Sequence, residues 1–542
     1  MLSSSKDQMA ITYYQEKLAQ LSSELWSWWS EGSNQQDKTT ASLITFFTVA
    51  ILIIWCTWVI KKSSKGKLPL PPGPKGLPLV GNLLSLDPEL HTYFAKLAQT
   101  YGPIYKLQLG GKLGIVISSP SVAKEVLKDH DINFANRDVP AAAKRVAYKG
   151  RDIVWNPYGP EWRMLRKICV REMLGNASLD AVYTLRHKEV RRMVRTVYSK
   201  RGSPINVGEE MFLTVMNVIT SMMWGGTIKG DEGTSLGAEF RQVVGEITDL
   251  LGRPNLSDFF PALGRFDLQG IQKIIGGLFA RFDKIFETII EQRLKMEEGE
   301  RKETKDFLQL MLQLVKDEAD ANTPFTMVHV KALLMDMVVG GTDTTSNSVE
   351  WAVAELMNKP ETMKIAQAEL ESVVGKDNVV EESHLPKLPY LQMVMKEVLR
   401  LHTPLPLLVP HCPTSSCDIG GYKVPKGSRV FINAWAIHRD PTIWVNPSEF
   451  NPERFSGGKF DFSGNDFNYF PFGSGRRICA GIPMAERMFM YELATLLHSF
   501  NWKLEDGVNK IDLTEKFGIV LKKATPLVAV PTPRSSSATL YA

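Results

Sequence analysis

Residues 471–481 read Pro-Phe-Gly-Ser-Gly-Arg-Arg-Ile-Cys-Ala-Gly, a glycine-rich loop that delivers one cysteine to the start of an apolar helical stretch. Ala485, Met488, Tyr491 and Leu496 follow on a helical pattern, so a helix N-terminus is expected just beyond Cys479. Its backbone N–H groups and dipole relieve the charge of a thiolate. Gly473, Gly475 and Gly481 allow the tight path such a loop needs, and Phe472 is placed to cover the sulfur side of a metal. Cys479 therefore reads as a thiolate ligand; the other reading is a buried free cysteine in a turn, which a lone cysteine usually is.

The pattern Phe-x-x-Gly-x-Arg-x-Cys-x-Gly over residues 472–481 resembles the haem-binding signature of the cytochrome P450 superfamily, and every fixed position is matched. The resemblance implies that Cys479 is the axial ligand of haem b, and that Arg477 pairs with a propionate. It also implies a mainly α fold with small β-sheets, behind a single N-terminal transmembrane helix.

The chain has 542 residues, 44% of them hydrophobic, and a formal charge of +5. Basic and acidic residues are interleaved along nearly its whole length, which carries no nucleic-acid signal. The five cysteines (Cys56, Cys169, Cys412, Cys417, Cys479) are odd in number and scattered. They do not form a disulfide framework, and a reducing compartment is favoured. Cys412 and Cys417 have no second pair and read as ordinary loop thiols.

Residues 41–60, ASLITFFTVAILIIWCTWVI, carry no charge and are long enough to cross a hydrocarbon core of about 30 Å as a helix. Lys61, Lys62, Lys65, Lys67 and Lys75 follow, whereas acids outweigh lysines upstream, so everything after Ile60 is expected in the cytosol. A cleaved signal peptide is the other reading, although the run is long for one and far from Met1. For the extension 1–40, an amphipathic helix on the membrane, a disordered tail and translation from Met9 all stay open. Residues 61–76 read as a basic, proline-rich hinge, 77–530 as the catalytic domain and 531–542 as a loose tail.

Ile104–Leu109 and Leu113–Ser118 alternate around Gly110-Gly111, as a hairpin does. Trp162 and Arg166 share one helix face and resemble the family's Trp-x-x-x-Arg, which implies a helix supplying propionate donors. Phe134–Tyr148 has no clean period; the resemblance implies that it loops over the haem, with Val139 to Ala143 as small apolar walls. Val243–Phe266 reads as a mobile lid or as an ordinary surface connection.

Thr326–Asn358 is helix-like, yet Val339-Gly340-Gly341-Thr342-Asp343-Thr344-Thr345 stands in its middle. Glycine and threonine are poor there, so a kink or opened turn is expected. Close helix packing allowed by small residues is the plainer reading. The resemblance implies an oxygen groove, with Thr344 steadying dioxygen and Asp343 relaying protons. By the same resemblance Glu397, Arg400 and Arg454 form a buried charge network, and His411 contacts a propionate. Leu405–Val409 and Phe517–Val520 would complete an apolar chamber.

The motifs that match run from Pro71 to about Val530, and their wording is most similar to plant families that oxidise terpenoids. The activity implied is that of an endoplasmic reticulum monooxygenase acting on a small hydrophobic secondary metabolite, sesquiterpene-like before flavonoid or phenolic. It would use dioxygen and electrons from NADPH through NADPH-cytochrome P450 reductase, docked at Arg163, Lys167 and Arg476, with cytochrome b5 as a second candidate donor. The rivals are a haem-thiolate dehydratase or isomerase acting on aldoximes or hydroperoxides, and a non-catalytic haem carrier.

Overall fold

The computed structural model describes residues 43–52, 54–55, 68–225, 230–296, 299, 306–317, 323–508 and 510–542. The chain divides into two compact units, Met1–Lys67 and Leu68–Ala542. In the first, the described residues are helical and expose Leu43, Phe46, Phe47 and Ile51. Among the described residues no helix is long and apolar enough to cross a membrane. The rest of the 41–60 run, the extension 1–40 and residues 61–67 lie outside them.

The second unit is mainly helical. Its scaffold is five helices: α1 (Pro160–Lys167), α2 (Val207–Trp224), α3 (Met327–Asn358), α4 (Pro389–Leu401) and α5 (Ile482–Ser499). α3 is buried over most of its length because apolar residues surround it on both sides. Val330 to Val338 belong to a core shared with α2 and the helices Gly230–Gly252 and Ile271–Lys295, whereas Val349 to Leu356 belong to a second core with α4 and α5. The stretch 340–347 is the junction between the two cores.

A five-stranded sheet runs in the order Ile104–Leu109, Lys112–Ile117, Arg429–Ile432, His411–Cys412, Asn136–Arg137. The first two strands are the expected hairpin, paired from Ile104 with Ile117 to Leu109 with Lys112, and Gly110 takes φ +58° at the turn. The second and third strands are parallel; the other pairs are antiparallel.

Two expectations are corrected, the opened turn in α3 and the loose tail. α3 is one continuous helix through the Gly-Gly-Thr segment, with no opened turn. The hydroxyls that compete for the backbone donate instead to carbonyls one turn back: Thr342 to Val338 (2.7 Å), Thr344 to Gly340 (2.7 Å), Ser346 to Thr342 (2.9 Å) and Ser348 to Thr344 (2.7 Å).

The tail 531–542 is not loose. Val528–Pro533 pairs antiparallel with Phe500–Lys503, Tyr541 is 3% exposed and donates its hydroxyl to Ser499 O at 3.0 Å, and Arg191 holds the carbonyls of Leu540 and Ala542. The second half of the hinge is also tied down: Lys423 N–H donates to Pro69 O (3.0 Å) and Lys106 N–H to Pro72 O (2.8 Å).

Between residues 134 and 148 the chain is more regular than its sequence suggests, with the short strand Asn136–Arg137 and the helix Ala141–Val146. The stretch expected to act as a lid completes the helix Gly230–Gly252 and then turns over the hairpin, where Gly111 N–H donates to Phe259 O at 2.8 Å.

Candidate functional site

Cys479 lies on the loop that enters α5. Its N–H donates to Phe472 O (3.0 Å), which closes the loop, and its sulfur accepts the N–H of Gly481 (3.3 Å), the residue that caps α5. The helix-end donor expected from the sequence thus reaches the sulfur. Gly475 cannot be replaced: its φ is +68° and a Cβ there would collide with the carbonyl oxygen of Leu127. Phe472 is half-buried and packs edge-on against Phe462, ring centres 5.3 Å apart. Burial pushes the Cys479 thiol up, while the Gly481 N–H and the Arg166 guanidinium oppose the shift. The sulfur-bearing residue is nonetheless exposed, because one side faces an open interior surface.

Positive charge gathers beside it. Arg477 donates to Ala135 O (2.6 Å), Ile153 O (3.1 Å) and Asn156 O (2.5 Å), and lies over the ring of Trp162 at 4.5 Å. Trp162 is 4% exposed and donates Nε1–H to Ile153 O (3.0 Å). Burial draws the Arg477 pKa down to about 10. Arg166, one turn after Trp162 on α1, makes no hydrogen bond or ion pair to any described residue.

His411 pairs in register with Arg137 and sits 2.8 Å from Phe134 O through Nδ1. Burial and then Arg137 hold its pKa well below the histidine range, so it is neutral. The charge at this place belongs to Arg137, which sequence reasoning missed. Arg137 donates to Val409 O at 2.5 Å, its Nε is buried without a partner among the described residues, and burial beside Arg477 draws its pKa down to about 9.

A thiol with a backbone N–H donor, facing three arginines of which one is unpaired and another has an orphaned Nε, fits a planar iron ligand carrying two carboxylates at its edge. These residues therefore fit haem b.

The glycine- and threonine-rich segment lies in the middle of α3. Its two glycines differ. A Cβ at Gly341 would stand 2.8 Å from Ile219 Cδ1 of α2, so that glycine serves close packing. A Cβ at Gly340 would meet nothing within 4 Å, and Gly340 is exposed although most of α3 is buried. Thr344, one turn on, is half-buried.

Asp343 does not touch Thr344. It is 4% exposed, and its Oδ2 pairs with Lys522 Nζ at 3.1 Å. Burial raises its pKa, Lys522 opposes, and Asp249 adds to the rise.

Behind the cysteine loop, Glu397 and Arg400 are both fully buried. Arg400 donates to both carboxylate oxygens (2.7 and 2.8 Å) and to His438 O and Pro447 O (2.8 Å each), and Arg454 reaches Glu397 at 3.2 Å. The network is structural, as expected. Lys522 and Arg137 had no local signal, because each acts through partners far along the chain.

Residues 71–530 match the family model described as Cytochrome P450. The chain is 42% identical over 477 residues to a flavonoid 3'-monooxygenase of Petunia hybrida, covering 86% of this chain and 93% of that one. It is 41% identical over 468 residues to a geraniol 8-hydroxylase of Swertia mussotii, covering 86% and 94%. A zebra fish cytochrome P450 solved with progesterone superposes with a TM-score of 0.72 at 27% identity, over 82% of this chain and 99% of that one. With the thiol loop, the arginine edge and the glycine- and threonine-rich segment of α3, these matches establish that the chain belongs to the cytochrome P450 family of haem b monooxygenases, among its plant members.

Proposed function

We propose that the chain hydroxylates a small hydrophobic plant secondary metabolite, a sesquiterpene-sized terpenoid before all others, with electrons from NADPH-cytochrome P450 reductase. The observation that carries the substrate class is an apolar wall built from separate segments. Ala143 and Ala147 are buried beside Trp155, and Val139, Val154, Leu251 and Val409 are half-buried against them. A hydrocarbon skeleton gains from such a wall, whereas each unpaired hydroxyl buried there costs about 1–3 kcal/mol. Asp343 of α3 and Lys522 pair with each other at 3.1 Å. A flavonoid is the second reading, supported by the Petunia hybrida relative.

In this reading Cys479 would ligate the iron, the Gly481 N–H would share the sulfur's charge, and Phe472 would cover that side. Arg137, Arg166 and Arg477 hold the propionate edge, with Trp162 and His411 packed behind them. When bound, haem b supplies the activation of dioxygen for insertion into a C–H bond. Thr344 Oγ1, whose proton rests on Gly340 O at 2.7 Å, would turn it to the open face beside Gly340, and Asp343 would supply protons from the Lys522 side. Arg163 and Lys167 are exposed, and Arg476 is half committed to Asp131 at 3.0 Å. These cations suit an acidic reductase, with cytochrome b5 as a second donor on the same face.

The anchor 41–60 would hold the enzyme single-pass in the endoplasmic reticulum membrane with this domain cytosolic. Exposed Leu77, Leu79 and Leu84 on one side of the hairpin turn, and Leu263, Phe266 and Leu268 on the other, support a second contact with lipid.

Expression with a plant reductase in microsomes tests the reading. NADPH-dependent oxygen uptake with a sesquiterpene olefin, together with a substrate-induced spectral shift, is expected. A flavone that binds tightly while olefins do not would overturn the terpenoid preference, and turnover of an aldoxime or hydroperoxide without dioxygen would overturn the monooxygenase chemistry.

A further inference from the structure

A cluster of buried polar side chains has no part in the chemistry above. His402, the residue that ends α4, is 4% exposed, and Glu355, in the last turn of α3, is 3% exposed. Glu515 opens a late hairpin in which it pairs with Lys523, and Lys516 pairs with Lys522. His402 stands between the two carboxyl groups: Nε2 is 2.8 Å from Glu355 Oε1, and Nδ1 is 3.1 Å from Glu515 Oε1. A carboxylate only accepts and a neutral imidazole has one N–H, so a neutral ring would set a bare nitrogen against an oxygen on one side.

The surroundings favour the proton on the ring. Glu515 Oε1 also accepts from Arg439 (3.0 Å), and Oε2 meets Trp435 Nε1 (2.9 Å) and His91 Nε2 (3.0 Å). Burial would raise the Glu515 pKa, yet the bonds from His402 and His91 and the charge of Arg439 hold it well below the carboxylate range, so it is ionised. His91 needs only one proton, because its Nδ1 has no hydrogen-bond partner among the described residues.

We propose that His402 is an imidazolium bridging Glu355 and Glu515, and that it is a positioning residue: it fixes the late hairpin on α3, and with it Lys522 against Asp343. The role of Lys522 rests on the proton-delivery reading above; the protonation of His402 does not.

The hairpin is gripped on both of its strands. Glu515 holds the first strand to His402. On the second, Lys523 Nζ lies over the ring of Trp351 at 4.7 Å, and Trp351 stacks flat on His402, ring centres 3.8 Å and planes 5° apart. Lys522, the neighbour of Lys523, then reaches Asp343 Oδ2 at 3.1 Å. The groups that face His402 are thus Glu355 and Trp351 of α3 and Glu515 of the hairpin, with Lys523 beyond Trp351 and Arg439 and His91 beyond Glu515.

Nitrogen NMR of the holoprotein with isotope-labelled histidine rings at about pH 7.5 tests the proton count. Two hydrogen-bearing ring nitrogens are expected for His402, assigned by their loss in His402→Gln. One bare nitrogen on that ring would put the proton on a carboxyl and overturn the imidazolium. His402→Gln leaves a single donor group between two carboxylates, so the hairpin loosens and Lys522 no longer opposes the rise in the Asp343 pKa in full. The limb of the rate profile governed by Asp343 is expected to move up by about 0.5–1 unit. Adding Glu355→Gln supplies a second donor and should bring the limb back. A limb that stays put in His402→Gln with haem content unchanged, or that does not return in the double variant, would overturn the positioning role. A wild-type profile with no limb that responds to Asp343→Asn would sink the proton-delivery reading, while the nitrogen spectrum would still decide the bridge.

Discussion

Replacing Lys522 by methionine keeps most of its volume and removes the cation 3.1 Å from Asp343 Oδ2. Two unit charges at that distance attract by about 5 kcal/mol at an effective dielectric constant of about 20. The lysine side chain is 38% exposed, so water recovers more than half of this and about 2 kcal/mol is lost, equivalent to about 1.5 pKa units on Asp343. Burial and Asp249 already raise that carboxyl, and Lys522 is the group that opposes them. The folded protein then holds the Asp343 proton to still higher pH, and the stability this proton confers, present below the ordinary carboxylate range, is lost over a higher pH window. The assay is product formation and peroxide release per NADPH between about pH 5.5 and 8.5, with the carbon monoxide spectrum as a control for intact haem. The limb of the rate profile governed by Asp343 should move up by about one to two units, and Lys522→Arg should restore it. A limb that stays within about 0.3 units, with haem content unchanged, would refute the assignment of Lys522 and Asp343 to proton delivery.

Cys479→Ala should abolish the long-wavelength carbon monoxide band while Cys169 remains; a retained band would assign the ligand to another cysteine. Gly340→Ala should add about 1 kcal/mol of helix stability, since its Cβ meets nothing within 4 Å, yet lower turnover by intruding on the open face beside Thr344. Higher thermal stability with unchanged turnover would remove that face from the reaction path. Glu397→Gln strips the charge from a fully buried carboxylate that holds Arg400 and Arg454, and should cost about 3–5 kcal/mol in urea unfolding followed by haem absorbance. Tyr541→Ala removes a ring stacked 4.4 Å from Tyr198 and a hydroxyl bonded to Ser499 O, Ser535 O and Ser535 N–H, and should cost about 3 kcal/mol by the same assay. A loss below about 1 kcal/mol would mean that the carboxyl end is not part of the core.

The hairpin at Gly110 was legible because alternation and turn chemistry are local, and so was the loop around Cys479, whose ligand, glycines and following helix lie within a few residues of one another. The sequence misled where local propensity was outvoted. Thr342, Thr344 and Ser346 compete for the backbone in isolation, but inside α3 their hydroxyls fold back on carbonyls one turn away and packing on both sides keeps the helix continuous through its glycines. The polar tail 534–542 looks unanchored until Tyr541, Leu540 and Arg191 are seen together.

By itself, the sequence determined the family, the loop that carries Cys479 and the helix that follows it, since each is carried by residues close in the chain. The tertiary structure alone decided that Asp343 pairs with Lys522 and that Arg137 lies in register with a neutral His411. Periodicity reports whether a side chain is buried. Which distant group then satisfies its charge or hydrogen bond depends on how the helices and strands pack, and that is written in no single stretch.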